Sequence, residues 1–439
     1  MRFTVRQFCV SWLFPGLLAV AFCAEGLAAD AIPGEQYCDR PVSKIVFHGN
    51  DTKRRVLLRE VFQKEGAVCS LDYVVDSVQS VLNLGLFRSV VAEFKLNEEK
   101  LELHFTVREK FALLVIPRFS RTSDAELRAG IQVRWDNVAG RLHQMKITSE
   151  TRRADDGDGN EGFVHRFSYN VPRFFGSDFG MGVSFAVRRQ QTDFRQDGVA
   201  YGTGYDKSRV LDVTMSRWAA NTDGVAGLRY FGGLQVAASD LSLTDGESGP
   251  FIGGDDISVV FGFENTQKQV NRYRRQGEVY GASLRLANSE THSDFSYVRL
   301  DGFWRFYRAL PGASNNLNIQ LRLGLSDGAP FGRRAFSVGG GEILRGLPPG
   351  SSTGDILTLA NVEYLSAFAG REYWRWVLFA DIGNVYNRDR VKLHRQKVRA
   401  GLGLRRKIES LSNTDLRLDF AWDTDAKRFR SFFSTHLTF

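Results

Sequence analysis

The stretch Asn315-Asn-Leu-Asn-Ile-Gln-Leu-Arg-Leu-Gly-Leu325 sets Leu317, Ile319, Leu321, Leu323 and Leu325 on one register and Asn318, Gln320 and Arg322 on the other. A two-residue period is that of a β-strand with one apolar face and one wet face. The alternation reaches back to about residue 112 and forward to the last residues, where Phe433, Thr435, Leu437 and Phe439 alternate with Ser434, His436 and Thr438. Sixteen strands are predicted, at roughly 112–121, 125–136, 143–154, 163–174, 179–192, 206–219, 225–241, 255–267, 277–288, 295–310, 315–326, 355–368, 374–387, 396–408, 414–423 and 428–439. At ~10 residues per tilted strand plus a comparable share of turn, residues 111–439 hold about sixteen strands. An even count suits a closed transmembrane barrel whose last strand meets its first. A soluble solenoid or sandwich array is the alternative, and it leaves the terminal Phe439 and the outward apolar face without a purpose.

The amino end reads as a secretory signal over residues 1–29. Arg2 and Arg6 supply the positive region, and Val10 to Ala24 is apolar but too short to span a bilayer as a helix. Cleavage is expected after Ala29 or Ala31; a lipoprotein signal at Cys23 is disfavoured by the bulky Phe22 before it. No later segment approaches the ~20 apolar residues of a transmembrane helix. The mean hydropathy of −0.25 does not exclude a barrel, because lipid-facing and lumen-facing residues are interleaved. The 34 Phe are read as lipid-facing and girdle aromatics. A formal net charge of +8 is modest and its Lys and Arg are spread along strands, so nucleic acid is not an expected partner.

Of four cysteines, Cys9 and Cys23 would leave with the signal. Cys38 and Cys69 remain in an oxidising compartment, where one pair has one connectivity. A disulfide between them would add roughly 3 kcal/mol, the alternative being two free buried thiols.

Residues 41–110 read differently. Val42 to His48 is a strand, and Thr52 to Phe62 is expected to be a helix with Leu57, Leu58, Val61 and Phe62 on one side. Ser70 is a good N-cap for a second helix with Leu71, Val74, Val75, Val78 and Leu82 on its apolar face, and Gly85 ends it. Strands at Val90–Leu96 and Leu101–Val107 follow, joined by the polar turn 97–100. This β-α-α-β-β order resembles a POTRA domain, with Leu84-Gly85-Leu86-Phe87 as its helix-to-strand joint.

The longest loop, Asp327 to Gly354, contains Gly339, Gly340 and Leu344-Arg345-Gly346-Leu347. Here the chain resembles, over residues 41–439, the outer-membrane assembly and translocation superfamily that includes BamA, TamA and the TpsB transporters, as a short single-POTRA member of the bacterial surface antigen type. In that family an extracellular loop folds back into the barrel and carries a Val-Arg-Gly-aromatic tip; Leu347 departs from it. Phe379-Ala-Asp-Ile-Gly383 matches the family's Phe-x-Asp-x-Gly, and Ala400-Gly-Leu-Gly-Leu404 also fits the family pattern. Alternation puts Glu363 on the register of Asn361 and sets Asp381 opposite Leu378, Ala380 and Ile382, so both carboxylates should face inward. A buried arginine needs a carboxylate, and its planar fork suits a bidentate one. Arg345 is therefore expected to pair with Asp381 and Glu363. The alternative is a solvated loop charge.

Signs of catalysis are weak. Gly350-Ser-Ser-Thr-Gly354 matches a nucleophile-elbow pattern but lies in a Gly/Pro/Ser-rich loop with no helix after it. The seven His have no ligand spacing. No catalytic residue, metal or cofactor is expected. The resemblance implies an outer-membrane barrel with its POTRA domain in the periplasm, acting in membrane-protein insertion or polypeptide translocation. The implied partners are unfolded outer-membrane or secreted polypeptides, lipid and lipopolysaccharide, and periplasmic accessory proteins. A terminal Phe439 would serve as the signal read by the assembly machinery. Two-partner transporters generally carry two POTRA domains and a plug helix, which lowers a dedicated single-passenger transporter to an alternative. A passive pore or structural surface antigen is a third reading.

Overall fold

The computed structural model describes residues 32–121, 126–154, 162–174, 177–196, 199–219, 226–271, 273–312, 314–339, 343–347, 350–368, 370–392, 395–410, 415–423 and 427–434. The signal segment 1–29, Gly340 and Phe439 lie outside these residues.

Strand β1 (Val42–His48), helix α1 (Arg54–Leu57), helix α2 (Leu71–Asn83), β2 (Phe87–Asn97) and β3 (Lys100–Glu109) form a small α+β unit. Its sheet has the order β1-β3-β2, with β1 parallel and β2 antiparallel to β3. The helices cover one face, where Val42, Ile45, Leu57, Val61, Val74, Val81, Leu103 and Phe105 make the core. The unit fits a single POTRA domain.

Two local expectations need correction. The first helix is not continuous over 52–62: α1 holds four residues and a 3-10 turn, Leu58–Glu60, follows before Val61 turns extended. The Phe62 amide donates instead to Ser77 Oγ at 2.8 Å, so its donor is satisfied outside a helix. In α2 the buried stripe runs through Val74, Ser77 and Val81, while Leu71 and Val75 are exposed. Ser70 caps it, its hydroxyl accepting the Tyr73 amide at 3.5 Å.

The barrel comprises β4 (Leu113–Arg121), β5 (Glu126–Val138), β6 (His143–Ala154), β7 (Gly162–Val171), β8 (Phe179–Gln196), β9 (Val199–Trp218), β10 (Gly227–Gly246), β11 (Gly254–Asn271), β12 (Arg274–Ala287), β13 (Tyr297–Ala309) and β14 (Asn316–Asp327). After a two-stranded hairpin of β15 (Phe336–Val338) and β16 (Ser352–Gly354), it continues with β17 (Ile356–Phe368), β18 (Arg371–Tyr386), β19 (Lys397–Lys407), β20 (Asp415–Asp423) and β21 (Arg428–Ser434). These sixteen barrel strands form one sheet in chain order, antiparallel throughout, and its two ends, β4 and β21, lie against each other. Bringing the two ends together is what a hydrocarbon layer demands of a sheet, since it does not tolerate free edges.

Along β14 the inward residues Asn316, Asn318 and Gln320 are buried, whereas Leu321, Leu323 and Leu325 stand exposed. Leu402, Phe420, Trp422 and Phe433 continue the exposed register on β19 to β21. An apolar belt of this extent belongs in lipid, not water. The antiparallel order puts the turns after β5, β7 and β11 at one end and the segment between β14 and β17 at the other. The POTRA unit docks at the first end. The Lys53 amide donates to Gly140 O at 2.8 Å, Asn137 Nδ2 to Thr52 Oγ1 at 2.8 Å, and the Val270 amide to Asn83 Oδ1 at 2.9 Å.

Candidate functional site: a loop seated in the barrel

The segment between β14 and β17 turns inward. Its hairpin packs Phe336, Val338, Leu344 and Leu347 against Leu357 and Leu359 of β17 and Val385 of β18. The base is fastened by Arg299 Nη1 donating to Ala335 O at 3.0 Å and by an Arg334–Asp355 ion pair at 3.0 Å. Burying four apolar loop side chains at ~1.5–3 kcal/mol each gives the inward position a hydrophobic driving force. Leu347 sits in this small core and is 5% exposed.

At the tip, Arg345 is fully buried. Its Nε and Nη2 donate to Asp381 Oδ2 at 2.7 Å and Oδ1 at 2.5 Å, and its Nη1 donates to Glu363 Oε1 at 2.6 Å. The Arg345 amide adds a bond to Asp381 Oδ2 at 3.1 Å. Asn361 holds the neighbouring backbone, donating from Nδ2 to Ile343 O at 2.9 Å and to Asp381 Oδ1 at 2.8 Å. Gln320 Nε2 donates to Asn361 Oδ1 at 3.2 Å, which fixes that amide's orientation. Side chains two apart on a strand share a face, so Phe379 and Asp381 reach inward from the same strand. The aspartate supplies the fork, while the Phe379 ring lies 3.6 Å from the Arg345 guanidinium carbon.

The glycines of 400–404 have a packing reason. Gly401 is paired with Phe379 across the sheet, and a Cβ there would stand 2.5 Å from Phe379 Cζ. Gly403 is paired with Asp419, and a Cβ would stand 2.8 Å from Arg405 Nη1. Both positions are left empty so that the facing side chains can lie across the strand. Gly346 has φ +89°, and a Cβ on it would meet Ala421 Cβ at 3.2 Å and Arg399 Cδ at 3.4 Å. Gly339 is also left-handed, with φ 118°.

Glu363 and Asp381 are not the whole anionic set. Asp419 of β20 lies 3.5 Å from Arg345 Nη1 and takes Arg405 Nη1 at 2.5 Å and Arg417 Nε at 2.6 Å. Arg405 Nη2 also reaches Glu363 Oε1 at 3.3 Å. Three arginines (345, 405 and 417) thus share three carboxylates (363, 381 and 419), all buried. A balanced set compensates the desolvation of each ion; deleting one member of a buried pair costs about 3–5 kcal/mol because the other charge is stranded. Asp419, Arg405 and Arg417 are not among the candidates the sequence pattern singles out. A signal was present, since Asp415, Arg417, Asp419, Ala421 and Asp423 fall on one register and all are buried.

The Gly350–Gly354 motif offers no nucleophile elbow. Ser352 lies on β16, receives Lys397 Nζ at 2.5 Å, and is followed by a strand rather than a helix. Among the described residues no group of three or more His, Cys, Asp or Glu is placed to hold a metal. Cys38 and Cys69 are joined as a disulfide with Cα atoms 5.1 Å apart.

Residues 253–435, which hold the loop and every member of this ionic cluster, match the Omp85 superfamily domain. This carboxyl-terminal part of the barrel is thus similar to the Omp85 superfamily. Solved structures share its fold. BamA from Haemophilus ducreyi lacking POTRA domains 1–3 is similar at 16% identity and TM-score 0.55, over 89% of this chain and 83% of that one. CdiB from Acinetobacter baumannii is similar at 16% identity and TM-score 0.61, over 90% and 73%. CdiB from Escherichia coli gives 13% and 0.61, over 88% and 72%. No curated protein matches the sequence. Within the matched region the Phe-x-Asp-x-Gly and Arg-Gly elements are two halves of one contact.

Proposed function

We propose that this chain is an outer-membrane barrel that inserts other membrane proteins or passes a polypeptide across the outer membrane, with its POTRA unit in the periplasm receiving the client. The observation that carries the reading is the Arg345 latch, which holds an inward loop on carboxylates of β17 and β18. An ordinary pore needs an open lumen, whereas a loop tied into the lumen by a buried fork suits a gate or support for a client. The POTRA sheet offers main-chain hydrogen bonds to an extended client without demanding its sequence. The seam where β4 meets β21, or the lumen, is the route. The driving energy comes from the client's own folding into lipid, and no chemistry is required. The signal at 1–29 and the terminal Phe439, through which the barrel itself would be recognised for assembly, belong to the same reading.

Depletion of the protein followed by outer-membrane proteomics tests this. Broad loss of barrels identifies an insertase and loss of one surface or secreted protein a dedicated transporter. An unchanged proteome sinks the proposal in favour of a passive pore or surface antigen.

A further inference from the structure

Where the POTRA unit meets the barrel there is a cavity of about 90 Å³, walled on one side by Arg55 and Arg59 and on the other by Arg141, His143, Arg173 and Phe174. The first pair comes from α1 and the 3-10 turn after it; the rest come from β6 and the turns after β5 and β7. Four guanidiniums converge here. Among the described residues the carboxylates that act on Arg59 are Glu60, itself in the cavity wall and accepting from Ser80 Oγ at 2.6 Å, and Asp178, which accepts from Arg173 Nη1 at 2.8 Å. Among the described residues of its wall, four arginines stand with one glutamate, so the lining is rich in positive charge. Burial, and after it the neighbouring Arg173 and Arg55, pull the Arg59 guanidinium below the usual arginine range, in keeping with like charges held together.

The position of the cavity says what kind of anion would reach it. It sits at the POTRA end of the lipid-facing belt. Phe174 in its wall is exposed, as is Phe179 at the start of β8, in the way aromatic residues are where a barrel meets the headgroup layer. Arg173 stacks 5.3 Å from the Trp218 ring, whose Nε1 donates to Pro172 O at 3.2 Å, so this wall is stiffened. Planar guanidiniums in a fixed cluster suit the oxygens of a phosphate group.

We infer that this cavity binds the phosphate headgroup of an anionic phospholipid from the leaflet on the POTRA side, its acyl chains lying along the exposed phenylalanines. Because the arginines come from both the POTRA unit and the barrel, the bound headgroup neutralises the mutual repulsion across the joint and fixes the unit's angle beneath the lumen. Such binding is independent of client handling and requires only that the barrel lie in a membrane.

The test uses the full chain in dodecyl maltoside with phosphatidylglycerol or phosphatidylcholine added to the micelles, lipid retention being read by native mass spectrometry. Phosphatidylglycerol should be retained at least fivefold over phosphatidylcholine. Arg55→Gln and Arg141→Gln, both on exposed side chains, should each lower that ratio, and the pair together should abolish it while heat-modifiability of the barrel is kept. Arg209→Gln, at an exposed pair with Asp240, should leave it unchanged. Equal retention of the two lipids, or full retention by the double variant, overturns the inference. Displacement of the lipid by equimolar glycerol 1-phosphate overturns the lipid source and assigns the cavity to a free phosphate ester.

Discussion

Asp381 accepts three N–H groups from the single residue Arg345, two from the guanidinium at 2.7 and 2.5 Å and one from the backbone amide at 3.1 Å. The carboxylate therefore holds the main chain of the loop tip as well as its side chain. A lysine can supply the charge but not two parallel donors. Arg345→Lys should lose about 1.5–3 kcal/mol per charge-assisted bond not remade, and the loop should become open to protease over residues 327–354. Wild-type resistance in Arg345→Lys would show that charge alone suffices.

Gly346 and Gly350 both have positive φ, +89° and +72°, but a Cβ added to Gly346 would meet neighbours within 4 Å and one added to Gly350 would meet none. Gly350→Ala should cost no more than the ~1–2 kcal/mol of a left-handed alanine. Gly346→Ala carries that cost and also pushes on Ala421 and Arg399, so it should loosen the loop more. Limited proteolysis of the two variants side by side ranks them; equal cleavage rates would remove the packing argument.

The disulfide closes a loop with a sequence separation of 31. The chain-entropy relation gives about 3–4 kcal/mol for a loop of that size. Cys38→Ser with Cys69→Ser should lower the denaturant midpoint of the POTRA unit and leave the barrel transition in place. Peptide mass spectrometry without reductant should recover the two cysteines linked, and two free thiols would contradict the pairing.

Deleting Phe439 should reduce the amount of folded, heat-modifiable protein in the outer membrane while synthesis is unchanged. Unaltered levels would show that the assembly machinery does not read the terminal aromatic.

Much of this architecture is legible in the sequence because the barrel's outer face must meet lipid. That demand writes the alternation of Leu317 to Leu325 and fixes which side of β17 and β18 carries Glu363 and Asp381. Where the lipid demand ends, the signal ends. Strands β8 and β9 run on to Gln196 and from Val199, beyond the expected 192 and 206, because their tips pair through backbone bonds that need no apolar alternation. The β20 partner of Arg345 does not stand out in the same way. Asp419 sits on an alternating charged strand, but which charges face each other across a lumen depends on barrel curvature, not on local pattern. The short α1 escapes the sequence pattern for a similar reason. Val61 is buried whether or not the turn is helical, and only the distant Ser77 reveals where the Phe62 amide goes.

A double-mutant cycle shows whether Arg345 and Asp381 act as one unit holding the loop in the lumen. Arg345→Ala, Asp381→Ala and the double variant are compared with the parent by the temperature of barrel unfolding and by protease access to residues 327–354. Each single change should be severe, about 3–5 kcal/mol, because it strands a buried charge. The double variant should cost clearly less than the two losses added, with a coupling of at least about 1 kcal/mol. Strict additivity would mean that the two residues do not hold one another, and the latch would have to be abandoned.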